Sequence, residues 1–257
     1  MVIFTDNSLS FAGLISMGKS SGSGFIYRSE KFVYLITAKH VLYDKQGLLW
    51  DNNMEILFQS FNDPSKNSRC IIDLKLNVPT YHKSGDVAVI QLGKVDNISA
   101  DGTIKFSENI GVEFIDELIF TPIAAVEKLL VRFKKLSVGS DIYIIAYPTS
   151  LGILSSPQID NSQPLLRKGI IANFNHHLST IILDCPVYQG NSGAPVIQVI
   201  NHTLQIVGII SQYVPYQQTW INYRDQITNV EHMNSGYSIA TTIDDMLELI
   251  SQSEITK

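Results

Sequence analysis

Three short segments of this 257-residue chain carry side chains that could together break an amide bond. An amide resists attack by a neutral hydroxyl, so hydrolysis needs a nucleophile, a base to take its proton, and a third group to hold the base in one tautomer. Ser192 sits at the centre of Gly190-Asn191-Ser192-Gly193-Ala194-Pro195, a glycine-flanked bend. His40 follows the apolar run 32–37 through Ala38-Lys39, so its imidazole is delivered by the end of a rigid element. Asp86 opens Asp86-Val87-Ala88-Val89, a carboxylate among apolar neighbours that could accept a hydrogen bond from the histidine ring. Gly190 can adopt backbone angles closed to other residues, so the N–H groups of Gly190 and Ser192 can converge on one oxygen. Such an oxyanion donor is worth about 3 kcal/mol in a transition state.

Elements of matching type surround these segments. Runs rich in Val, Ile, Tyr and Phe recur with turn residues between them, the cue for an antiparallel all-β architecture. Strands are expected over 24–27, 32–37, 55–61, 69–76 and 86–92, and again over 141–147, 168–174, 180–186, 195–200, 204–213 and 237–241. Two stretches carry helical spacing instead. Thr121-Pro122 followed by Ile123, Val126, Leu130 and Phe133 predicts a short helix linking the halves, serving as a strut or a partner's docking point. Thr242 with Asp245, then Ile243, Met246, Leu247 and Ile250 on one face, predicts a C-terminal helix. The implied division is 1–111, a linker over 112–136, and 137–257.

Composition narrows the function classes. The net charge is −5 and no Lys/Arg run is present, so the footprint of a nucleic-acid binder is missing. No apolar run approaches the roughly 20 residues of a membrane helix. The first residues, Met-Val-Ile-Phe-Thr-Asp, lack a basic region before their apolar stretch and make a poor signal peptide. Two cysteines, Cys70 and Cys185, suit a reducing cytoplasm better than a disulfide framework and read as buried apolar thiols.

The three motifs resemble the histidine, aspartate and serine segments of the trypsin-like (chymotrypsin-fold) peptidases of prokaryotic type, and their order along the chain is that of this family. Gly22-Ser23-Gly24-Phe25, Ile206-Val207-Gly208-Ile209-Ile210-Ser211 and Gly236-Tyr237-Ser238-Ile239-Ala240 extend the likeness over about residues 20–250. The resemblance implies two six-stranded antiparallel β-barrels of the chymotrypsin-like fold plus the C-terminal helix. It also implies a serine endopeptidase acting through His40, Asp86 and Ser192 and an acyl-enzyme, with Gly190 and Ser192 as the oxyanion hole. No cofactor or metal is expected; the partners expected are a protein or peptide substrate and a regulatory protein of unknown kind. Departures from the family carry information. Asn191 stands where zymogen-type members have an aspartate that pairs with a new N-terminal amine, so activation by that route is not expected. Pro186 takes the place of the aspartate that selects basic P1 residues, so the P1 preference should not be basic unless Asp184 tilts in. By the same likeness Ser211, Gln212 and Tyr213 form the edge that pairs with substrate backbone, with Tyr213 beside the P1 pocket.

Other readings compete. His82 is a second imidazole near Asp86 but lies in a loop; His176-His177 lack a Cys, Asp or Glu cluster and read as a turn pair rather than a metal site. An esterase of another class could use Ser192, Asp225 and His232, but Ala194 breaks the Gly-x-Ser-x-Gly elbow and Pro195 opens a β-branched run where a helix is required. A barrel that lost activity and only holds peptides is the other alternative. Residues 214–235, with Tyr216, Trp220 and Tyr223, read as a long aromatic loop beside the site, one that either sets specificity or packs as a hairpin loop on its own barrel.

Overall fold

The protein is described by a computed structural model covering residues 4–98, 104–115, 123–222, 224 and 227–255. Its first unit holds β1 (Gly13–Met17), β2 (Ser20–Arg28), β3 (Phe32–Thr37), β4 (Asn53–Gln59), β5 (Asn67–Asp73), β6 (Thr80–Tyr81), β7 (Ala88–Ile98), β8 (Ile104–Glu108), β9 (Val112–Ile115) and β10 (Ala124–Val126). These form a curled ten-stranded sheet in the order β6-β7-β3-β2-β1-β4-β5-β9, with β8 on β7 and β10 on β2. The second unit is a closed barrel, β11-β12-β13-β16-β15-β14. Its strands are β11 (Asp141–Ala146), β12 (Leu165–Asn175), β13 (Thr180–Asp184), β14 (Pro195–Ile200), β15 (Thr203–Asn222) and β16 (Ile227–Thr242). Two single-turn helices, α1 (Lys39–Leu42) and α2 (Leu151–Leu154), precede the C-terminal α3 (Ile243–Ile255). The expected all-β fold of two antiparallel barrel units with a terminal helix is the one observed. The first unit exceeds the six strands expected of it, because β6, β8, β9 and β10 add to its sheet.

Period-two burial explains the strands: β5 alternates buried and outward-facing residues, placing Cys70 and Ile72 inside and Arg69 and Ile71 outside. Ile15, Leu35, Met54, Ile56, Phe58 and Ile90 fill the first unit. Ile142, Ile144, Ile171, Leu183, Val196 and Val207 fill the barrel. A third apolar cluster joins the two, with Phe25, Ile36 and Val89 from the first sheet meeting Ile145, Ile197 and Ile209 from the second. Met246, Leu249 and Ile250 of α3 close it. The helix thus buries Leu249 where the sequence pattern had suggested Leu247, which is only partly covered. The two cysteines are free and buried, one in each unit's core.

The linker departs from expectation. Thr121 and Pro122, which should have started a helix, lie outside the described residues. Beyond them the chain forms β10, then 3-10 turns at Glu127–Leu129 and Phe133–Lys135. Strand pairing wins because β1 covers β2 only from Ser20 to Gly24, leaving Ile26–Arg28 with an open edge that Ala124–Val126 takes in parallel. Further on, Val131 N–H donates to the Ile206 carbonyl at 2.9 Å, so the segment is tied to both units. The first sheet also runs past residue 111, since Val112–Ile115 pairs with β5.

One buried side chain crosses between the units. Ser23 of β2 is fully buried; its Oγ donates to the Gly190 carbonyl at 2.8 Å and accepts from Tyr147 N–H at 3.0 Å. Its own N–H donates to the Ser192 carbonyl at 2.7 Å. The glycines on either side have no room for a side chain: a Cβ at Gly22 would lie 2.5 Å from the Val41 side chain and 3.0 Å from the Ser192 carbonyl, and one at Gly24 2.7 Å from the Ile36 carbonyl.

Two outcomes follow for stability, both read by urea unfolding. Met246→Ala empties a fully buried site between helix and sheets and should cost about 2–5 kcal/mol. Ser23→Ala leaves a buried carbonyl and a buried N–H without their partner and should cost about 1–3 kcal/mol, whereas Ser8→Ala in the 3-10 turn Asp6–Phe11, where the half-buried Ser8 pairs with the Thr5 hydroxyl, should cost less than about 0.5 kcal/mol.

Candidate active site

Strand register brings the first two residues together. β3 and β7 are antiparallel neighbours with Thr37 opposite Ala88, so His40, three residues past Thr37, and Asp86, two before Ala88, emerge at the same end of the sheet. The α1 turn holds His40 there: its N–H donates to Asp86 Oδ1 at 3.2 Å, and Trp50 Nε1 donates to its carbonyl at 3.2 Å. His40 Nδ1 lies 2.8 Å from Asp86 Oδ2, and His40 Nε2 lies 2.8 Å from Ser192 Oγ. A residue from the barrel therefore completes a line begun in the first sheet. With Nδ1–H donating to the carboxylate, the Nε2 lone pair faces the serine hydroxyl.

Asp86 also accepts from Ser211 Oγ at 2.6 Å. Burial works against its charge, yet the hydrogen bonds from His40 and Ser211 and the attraction of His40 outweigh it and hold the carboxyl below the usual carboxylate range. It is ionised throughout the neutral range. The Ser211 carbonyl lies 3.1 Å from Ser192 Oγ and offers the hydroxyl proton a second acceptor.

The bend around Ser192 is built by left-handed glycines and short bonds. Gly190 has φ +90° and Gly193 φ +87°, and a Cβ on Gly193 would collide with the Ser23 carbonyl. The Gln189 carbonyl accepts from Thr149 N–H and the Asn191 carbonyl from Ala194 N–H. Because peptide units are planar and trans, those two bonds fix the directions of the Gly190 and Ser192 N–H groups, the next atoms in each plane. The adjoining N–H groups of Asn191 and Gly193 are bound to the Tyr188 and Ile210 carbonyls. Asn191 is buried, and its Oδ1 accepts from Tyr188 N–H at 2.7 Å, so the side chain closes the turn locally without an N-terminal amine.

The remaining expected positions fall around this centre. Ser211, Gln212 and Tyr213 lie on β15, where Ser211 forms a bulge against β16 and Tyr213 is exposed. Pro186 is half-buried just past β13, while Asp184 faces solvent at that strand's end, opposite Ile170 and Tyr237. Ser23 was missed as part of the site; its signal in the sequence is the Gly-Ser-Gly sandwich itself. His82 is placed on the far side of the Asp86 turn: its Nδ1 accepts Gly85 N–H at 2.8 Å, and its ring faces Asp245 and Glu248 of α3 at 3.9 and 3.6 Å. Burial raises the Asp245 carboxyl above its usual range. His176 and His177 form a turn, with the His176 ring against Phe133 and Phe174. Among the described residues no cluster of three or more His, Cys, Asp or Glu could hold a metal ion, and no helix is long and apolar enough to cross a membrane. The esterase arrangement fails on geometry: His232 is exposed on β16 opposite Gln217, Pro195 opens a strand, and Asp225 lies outside the described residues. The stretch 214–235 is a strand hairpin, with Tyr223 also outside the described residues.

No curated protein sequence matches the chain. Solved structures do. Rv3671c of M. tuberculosis, as an inactive serine-to-alanine form, aligns with TM-score 0.50 and 14% identity over 97% of this chain and 89% of its own. Deg5 aligns with TM-score 0.51 and 14% identity over 94% and 88%. AlgW, an HtrA-type protease solved with a tripeptide, aligns with TM-score 0.53 and 16% identity over 95% of this chain, which spans 60% of AlgW. At such identities these structures speak for the fold. The model of the trypsin-like peptidase domain matches residues 22–209, most of the chain and all three motifs, and by that match the protein belongs to the trypsin-like serine peptidase family.

Proposed function

We propose that the protein is a serine endopeptidase in which Ser192 is the nucleophile, His40 the general base and Asp86 the residue that holds the imidazole. The observation that carries this reading is His40 at 2.8 Å from both the Asp86 carboxylate and the Ser192 hydroxyl. In the free protein the Ser192 proton has two acceptors, His40 Nε2 and the Ser211 carbonyl. A substrate strand lying along Ser211, Gln212 and Tyr213 claims the Ser211 carbonyl with its P1 N–H, leaving the proton to His40. Ser192 Oγ then attacks the scissile carbonyl as Nε2 takes its proton, and the oxygen's new charge is met by the Gly190 and Ser192 N–H groups. The imidazolium, stabilised by ionised Asp86, returns the proton to the leaving amine. Water repeats the sequence on the acyl-enzyme.

The P1 preference follows from the residues at the positions where the family resemblance puts the pocket. Pro186 brings no charge and Asp184 faces solvent, so a small or apolar P1 residue fits better than Arg or Lys. Two buried free thiols suit a cytoplasmic setting.

A fluorophosphonate probe tests the assignment. Wild type should be labelled, while Ser192→Ala should not and His40→Ala should lose nearly all labelling and turnover with the fold intact. Asp86→Asn should lower turnover about 10⁴-fold by stabilising the wrong tautomer. Near-normal labelling of His40→Ala would sink the reading, and complete absence of labelling in wild type would favour a peptide-binding relative.

A further inference from the structure

The hairpin that replaces the expected 214–235 loop leaves the barrel altogether. β14 pairs with β15 only from Thr203 to Ile209, and β13 with β16 only from Tyr237 to Thr241. Between those limits the strands pair with each other alone, from Pro215 opposite Asn234 to Asn222 opposite Ile227. Both faces of this ribbon meet solvent: Tyr216 is 57% exposed, Trp220 56%, Ile221 51%, Val230 44% and Met233 51%. A two-stranded ribbon by itself is marginally stable in water, and an open strand edge is a liability usually blunted by charge. Here the β15 edge from Ser211 to Asn222 holds no charged residue, and Pro215 is its single blunting device.

That edge is continuous with the site. It begins at Ser211, whose carbonyl is 3.1 Å from Ser192 Oγ, and continues through Gln212 and Tyr213 into the ribbon. At about 3.3 Å per residue the stretch to Asn222 reaches roughly 35 Å, enough to pair with about ten residues of an extended chain.

Resting on the peptidase reading above, we propose that the ribbon is a substrate arm: unfolded, weakly charged polypeptide adds to the β15 edge as a third strand along the residues N-terminal to the scissile bond. Main-chain hydrogen bonds carry this pairing whatever the sequence, with one gap at Pro215, which offers only its carbonyl. Exposed Tyr216 and Trp220 with neighbouring Gln217, Gln218 and Asn229 supply adaptable aromatic and amide contacts, and Glu231 is the one carboxylate and His232 the one basic side chain on the described strands of the arm. The substrate class is therefore an extended, apolar stretch of unfolded protein rather than a short peptide or a folded surface loop.

The test replaces residues 217–232 by Asn-Gly, which closes a tight hairpin on the paired Tyr216 and Met233. Two substrates with one cleavable sequence are compared, carrying four or twelve residues before the scissile bond. Shortening the arm should reduce kcat/KM on the long substrate at least tenfold, mainly through KM, and leave the short one within twofold. In the Ser192→Ala background it should weaken binding of fluorescent unfolded casein at least tenfold by anisotropy. Equal effects on both substrates, no effect on either, or a change of oligomeric state without a change on the long substrate would each overturn the proposal. If wild type neither labels nor cleaves while the casein difference persists, the peptidase reading falls and the arm stands; if wild type cleaves and the arm is irrelevant to casein and long substrate alike, the arm alone falls.

Discussion

A single imidazole caught between a carboxylate of one sheet and a hydroxyl of another is the constraint on which the rest of the architecture depends. His40 and Asp86 are neighbours by strand register, but Ser192 reaches His40 only if two separately hydrogen-bonded units dock to within about half an ångström. Three features supply that accuracy. An apolar cluster runs through both units, α3 returns from the end of the chain to close it, and Ser23 ties the first sheet to the carbonyls of Gly190 and Ser192. Packing sets how near the units come, while the serine's bonds fix their orientation, since hydrogen bonds are directional and burial is not.

The same logic explains how the Ser192 bend is held ready. Zymogen-type relatives form this bend when a new N-terminal amine meets an aspartate; here Asn191 occupies that place and bonds within its own turn. The peptide planes bearing the Gly190 and Ser192 N–H groups are anchored by bonds to Thr149 and Ala194. Preorganised donors lose little freedom during reaction, which is where an oxyanion site gains its strength. Gly193 marks how close the packing is, with its Cα seated against the Ser23 carbonyl and the Thr37 hydroxyl.

Much of this was legible in the sequence wherever the determinants are local. The strands Phe32–Thr37 and Pro195–Ile200 were readable to the residue because β-branched and aromatic residues dominate each run. The three chemical residues stood out by their flanking glycines and strand ends. What was not legible depends on distant partners. The linker's helical spacing was overridden by an open edge on β2 that only the three-dimensional pairing reveals. The glycines flanking Ser23 mark a close approach, but nothing local names its partners, which lie more than a hundred positions away. The 214–235 stretch read as a loop because its strands mix polar and aromatic residues on two solvated faces, so no buried stripe announces them.

The central claim is that His40 and Ser192 work as one unit across the two halves of the protein. It is tested most directly by the peptide-hydrolysis rates of Ser192→Ala, His40→Ala and the double variant. Residues acting as a unit give a double variant no slower than either single one. Losses that multiply, each substitution removing its own share independently, would contradict the account.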